Sequence, residues 1–178
     1  FCFKIVGLYK KMDILINKVA ESGLITLKME EWVNHEEIIE LDIKQFLFRE
    51  LILKEKEFRQ TLKEFDYTFL KDKVVAVYCS NDAILPKWAF MLLVSSVLPY
   101  SNKIYFGNKA EVEQKLLLEK INNLDLSKYE GQRIVIKGCG KEEIADFAYL
   151  EITKKLQPIV KSLMFGEACS TVPIYKKK

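Results

Sequence analysis

Between Lys73 and Phe165 four short runs of apolar and β-branched residues alternate with three helix-length stretches, and this alternation constrains the fold more than any other feature. Strands are expected at Val74–Tyr78, Lys103–Phe106, Arg133–Lys137 and Val160–Phe165. Helices are expected at Pro86–Val97, Ala110–Ile121 and Glu142–Leu156, the first and last closed by Pro99 and Pro158 because proline cannot continue a helix. A β-α-β-α-β-α-β order predicts parallel strands with helical crossovers, and the right-handed crossover rule leaves few topologies. The expected fold class is α/β: a mainly parallel, Rossmann-like or flavodoxin-like sheet with an N-terminal hairpin and helices added.

The first part of the chain is less regular. Asp13–Glu21 suits one or two helical turns, stopped by Ser22 and Gly23. Leu24–Lys28 and Glu37–Leu41 read as two short strands forming the hairpin, although Ile38 and Ile39 interrupt the alternation that a half-buried strand should show. Asp42 is a candidate N-cap for a helix carrying Ile43, Phe46 and Leu47 at helical spacing. A second helix over Lys54–Phe65 gathers Phe58, Leu62 and Phe65 on one face. It leaves Glu55, Arg59 and Lys63 on a solvated one. Met12 is taken as the natural start, so residues 1–11 are read as an N-terminal extension and 12–178 as one α/β domain. That length is enough to bury a core.

Charge narrows the partners. The net charge is +3, and three of the positive charges are Lys176, Lys177 and Lys178, read as a solvated tail. No basic face calls for nucleic acid, and no apolar run is long enough for a membrane span. Four cysteines are present, and with Cys2 set aside in the extension an odd number remains. With no secretory signal in view, the thiols are expected to stay free of disulfides in a reduced cytoplasm.

Three strand-like segments each lead to a cysteine: Cys79, Cys139 and Cys169. In a parallel sheet the strand C-termini share one rim, and ligands bind where the strand order reverses. With strand 74–78 between strands 103–106 and 133–137, and strand 160–165 outermost, the three thiols would end side by side, neighbouring strands being about 4.8 Å apart. No glycine-rich phosphate loop accompanies them. Gly138 and Gly140 give G-x-G, but Glu143 stands where the third glycine belongs, and Asp82, Glu142 and Glu143 would repel a phosphate. A nucleotide is therefore not expected. Three thiolates with Asp82 or an outside group as fourth ligand suit zinc or an iron–sulfur cluster. The metal site expected from sequence is thus Cys79, Cys139, Cys169 and Asp82, in a cytoplasmic accessory protein.

Other readings use the same residues. Free cysteine packs well as a small hydrophobe, so the thiols could serve an interaction module that merely buries them. A thiol at a helix N-terminus has a lowered pKa and is reactive, which fits a thiol enzyme or sulfur carrier built on Cys79 or Cys169. His35 is the sole histidine and reads as a surface loop residue. Trp88 and Phe90–Leu93 read as core.

Several segments also resemble a known family. They are Ile16–Ile25, Leu41–Lys44, Leu51–Arg59, Cys79–Ser80, Asp82–Ile84 and Pro86–Ala89. The most specific is the tail Gly166–Lys176, with Cys169 and Ser170 inside it. Together they resemble the uncharacterised bacterial family known as domain of unknown function 2480, typical of Bacteroidetes, over nearly everything from Asp13 onward. The family brings no established activity. The resemblance implies that relatives lie near iron–sulfur cluster assembly genes, so proteins of that assembly are the expected partners.

Overall fold

The computed structural model describes residues 23–137, 140, 142–167 and 170–178. The helical turns expected at Asp13–Glu21 lie outside the described residues, as do Cys139 and Cys169. Strands β1 (Leu24–Leu27), β2 (Ile38–Asp42), β3 (Val74–Tyr78), β4 (Ile104–Phe106), β5 (Arg133–Ile136), β6 (Ser162–Glu167) and β7 (Ser170–Lys176) interleave with helices α1 (Glu55–Glu64), α2 (Lys87–Val97), α3 (Lys109–Asn122) and α4 (Asp146–Leu156). The α/β class read from the sequence is the observed one. The helix boundaries expected after Lys54 fall within a few residues of those found.

The strands are divided between two sheets. One has the order β2-β3-β4 and is wholly parallel. The other has the order β1-β5-β6-β7, parallel except for the last pair. Contacts divide the described residues into two compact units: the first comprises 23–27, 126–137, 156–167 and 170–178, the second 28–125, 140 and 142–155.

In the second unit the pleat of β3 sorts its side chains between two layers, since successive residues point to opposite faces. Val75 and Val77 pack with Leu41, Phe58 and Leu62 and with Ala89, Leu93 and Val97 of α2. Val74 and Ala76 pack with Ile38 and with Val112 of α3. Helices α1 and α2 thus cover one face of the sheet and α3 the other. Asn108 caps α3 through a reciprocal pair with Glu111, and the Glu40 carboxylate accepts the backbone N–H of Lys109 at 2.9 Å, placing negative charge at the helix N-terminus. Ser101 is the one buried polar residue among those described. Its hydroxyl donates to the Lys73 carbonyl at 2.6 Å and accepts from the Lys103 N–H at 3.1 Å, so it carries no unpaired group.

The N-terminal hairpin does not form. β1 and β2 exist, but β1 lies parallel to β5 and β2 parallel to β3. Ile38 and Ile39 supply the reason. A parallel strand is covered on both faces and reads as a continuous apolar run, so the pair that interrupts alternation marks β2 as sandwiched between helix layers. The position beside β3 that the sequence reading assigned to residues 133–137 is filled by β2.

In the first unit β5 is central: Ile134 and Val135 are fully buried and Ile136 nearly so, with Leu163 of β6 and Val160 before it also fully buried. The segment read as a tail is the edge strand β7. Pro173 belongs there because an edge strand has one side on which a missing N–H costs nothing. A register shift accompanies it: Leu163 pairs with Tyr175 and Met164 with Pro173, which leaves Ile174 as the extra residue of a bulge.

Candidate functional site: a cation-rimmed pocket on the four-stranded sheet

The strand order on which the expected metal site rested is not the observed one. Strand 74–78 and strand 133–137 were to be neighbours in one sheet, but they belong to different sheets, so the single-sheet rim assumed for the three thiols does not form. Cys139 and Cys169 themselves lie outside the described residues. Among the described residues no group of three His, Cys, Asp or Glu side chains is placed to hold a metal ion. The metal or iron–sulfur function read from the sequence is corrected accordingly. The pattern of strands that each end at a cysteine was real, but it presupposed one continuous sheet.

Cys79 is a free, half-buried thiol at the end of β3. It packs against the core beneath α1 and α2. Its Sγ lies 3.0 Å from Asn81 Oδ1, which also accepts the Ala83 N–H at 3.1 Å, while Asn81 Nδ2 donates to the Glu50 carbonyl. Ser80, Asn81 and Asp82 do not cap α2, whose N-cap is Pro86 several residues on. The thiol therefore lacks the helix N-terminus that would activate it. His35 is no partner to it: it lines a cleft of about 380 Å³ with Glu113, Glu142, Glu143 and Phe147. Asp82 lines a separate groove with Leu51, Ile52 and Ile84. Cys79 thus serves to fasten the loop after β3.

A different constellation carries recognition chemistry. On the four-stranded sheet Leu24 opposes Arg133, Arg133 opposes Ser162, and Ser162 opposes Lys176. Directly opposed residues share a face, so these four form one row across β1, β5, β6 and β7. Strand spacing puts Arg133 and Lys176, two strands apart, at about 10 Å between backbones. Together with Lys161, Met164, Pro173 and Tyr175 the row encloses a pocket of about 660 Å³. That is within the ordinary range for small-molecule sites. Leu24, Ser162, Met164 and Tyr175 are half-buried and make its floor; Arg133, Lys161 and Lys176 are exposed at its rim.

The rim is electrostatically one-sided. Among the described residues, three cations and no carboxylate line the pocket. The ion pairs between described residues lie elsewhere, among them Arg59 with Glu55 and Lys154 with Glu151, and none includes Arg133, Lys161 or Lys176. The backbone of Lys161 is pinned on both sides: its N–H donates to Gln132 at 2.7 Å and its carbonyl accepts from Lys177 at 3.0 Å. Sequence reasoning missed this site because it treated Lys176 as tail. The signal was present in Val172-Pro173-Ile174-Tyr175, a β-branched and aromatic run whose proline marks an edge strand.

No helix among the described residues is long and apolar enough to cross a membrane. The family model that matches the chain is described as "Protein of unknown function (DUF2480)" and covers residues 13–177. No curated protein and no solved structure matches.

Proposed function

The chain belongs to the DUF2480 family of proteins of unknown function, and from that premise we propose that it is a binding module for an anionic small molecule, held in the pocket of Arg133, Lys161 and Lys176. One observation carries the reading: three cations with no carboxylate partner among the described residues surround a concave, partly apolar site. Like charges held near one another repel, and an anion between them relieves that repulsion while gaining hydrogen bonds from guanidinium and ammonium groups. Ser162 adds a hydroxyl at the centre of the row. Nothing in this arrangement requires a bound metal. The free thiol of Cys79 supports placing the module in a reducing cytoplasm.

The test is titration calorimetry with inorganic phosphate and with citrate at low salt. Wild-type protein should bind, with affinity falling as ionic strength rises because exposed charges are screened. A triple variant, Arg133→Ala, Lys161→Ala and Lys176→Ala, should lose about tenfold or more in affinity, with its near-UV circular dichroism unchanged since all three side chains are exposed. Equal binding by wild type and variant, or none by either, overturns the reading.

A further inference from the structure

Resting on that reading, we infer that the ligand is an anionic amphiphile: a compact carboxylate or phosphate head on an apolar body. The head's size follows from where the donors come from. No helix of the described residues contributes to the lining, so none of their helix N-termini offers a fan of N–H groups to an extended polyphosphate. Arg133 and Ser162, at the middle of the row, sit on strands paired on both sides, whose backbone groups are engaged in the ladders. Recognition is left to side chains, and a compact head spanning Arg133, Ser162 and Lys176 matches their placement. The body follows from the floor. Leu24, Met164, Pro173 and Tyr175 present apolar surface, and among the described floor residues only the Ser162 and Tyr175 hydroxyls could read a polar body. A nucleobase would leave most of its hydrogen-bonding edge unmatched there. A hydrocarbon or plain aromatic body leaves nothing unmatched, and the thioether of Met164 adapts to irregular shapes.

The experiment compares inorganic phosphate and adenosine monophosphate with octanoate, decanoate and dodecanoate, each carboxylate below its micelle concentration, on wild-type protein, on the triple cation variant and on Met164→Gln. Affinity for the carboxylates should climb by about fourfold for each buried methylene until the pocket is filled. Dodecanoate should then bind at least about a hundredfold tighter than phosphate. Met164→Gln, at a half-buried position of the floor, should flatten the chain-length series. If phosphate binds through the three cations but the carboxylates bind no tighter, the amphiphile inference falls and the anion-binding reading stands. If an adenine nucleotide binds tighter than dodecanoate, the apolar body is wrong. If the triple variant binds every probe as wild type does, both are overturned.

Discussion

The carboxylate of Asp42, at the end of β2, accepts the backbone N–H of Ser80 just past the end of β3, at 3.2 Å. The same Oδ1 accepts the N–H of Lys44 at 3.0 Å and so caps the 3₁₀ turn Ile43–Phe46. One side chain therefore ties the carboxyl ends of two parallel strands together. Burial works against ionisation of Asp42, but hydrogen bonds from the Ser80 side chain and from the backbone of Lys44 and Ser80 outweigh it, and its pKa lies below the ordinary 3.8. A depressed pKa in the folded state stabilises the protein above the unfolded value and loses that contribution as pH falls through the folded one. Asp42→Ala should cost about 1–2 kcal/mol near neutral pH. The gap between wild type and Asp42→Ala should narrow as pH falls below the ordinary 3.8, read from urea midpoints across an acid pH series. A gap of constant size across that series would assign the effect to packing.

The Asn81 amide makes a ranked prediction. It bonds the Cys79 thiol, the Ala83 N–H and the Glu50 carbonyl, whereas the thiol is held by one of those bonds. Asn81→Ala should destabilise by about 2 kcal/mol, since it strands more than one partner. Cys79→Ala, at a half-buried position, should cost about 1 kcal/mol. In a double-mutant cycle the two should be less than additive because they share a bond. A larger effect from Cys79→Ala would return the thiol to functional consideration.

Legibility from sequence followed the period of each element. α1 was readable because Phe58, Leu62 and Phe65 keep helical spacing between charged positions, and β3 because Val74–Tyr78 is a short run of β-branched and apolar residues bounded by polar ones. Strand partnership was not readable. Ile38 and Ile39 announced a strand buried on both faces, but which strand would lie beside it depends on contacts distant in sequence. The metal expectation failed at that step, since β2 takes the place beside β3 that it reserved for residues 133–137. β7 was missed for a local reason: the lysines at its end were weighed as a charge run, and the β-branched residues before them were overlooked.

Glu50 tests a local conformational cost. Arg49 and Glu50 both adopt positive φ, at 52° and 58°, in the tight reversal that pairs Phe48 with Ile52. A side chain in the left-handed region costs about 1–2 kcal/mol, and glycine there escapes the clash while losing more chain entropy on folding. Glu50→Gly should therefore be neutral to stabilising by about 1 kcal/mol. It keeps the Glu50 carbonyl that Asn81 holds. Thermal unfolding of Glu50→Gly beside Glu50→Ala separates backbone relief from loss of the carboxylate, because only glycine gains the former.

Gly166 connects the fold to the proposed site. It lies at the end of β6 with φ of 121°, a conformation that side chains rarely adopt, and a Cβ placed there would meet the Ser170 carbonyl oxygen at 2.6 Å. Ser170 opens β7, and β7 carries Pro173, Tyr175 and Lys176 to the pocket. Gly166→Ala should thus act twice: by a destabilisation of about 2 kcal/mol from strain and from displacement of the facing backbone, and by weakened anion binding as Lys176 shifts from its place opposite Ser162. The pairing of Ser162 with Lys176 is at the far end of the ladder from Gly166. The two effects are therefore separable by hydrogen exchange, which should show β7 amides losing protection while those of β3 keep theirs. Gly166→Ala with β7 protection intact and anion affinity lowered would break the link between strand and site; β7 protection lost with affinity unchanged would remove Lys176 from the rim.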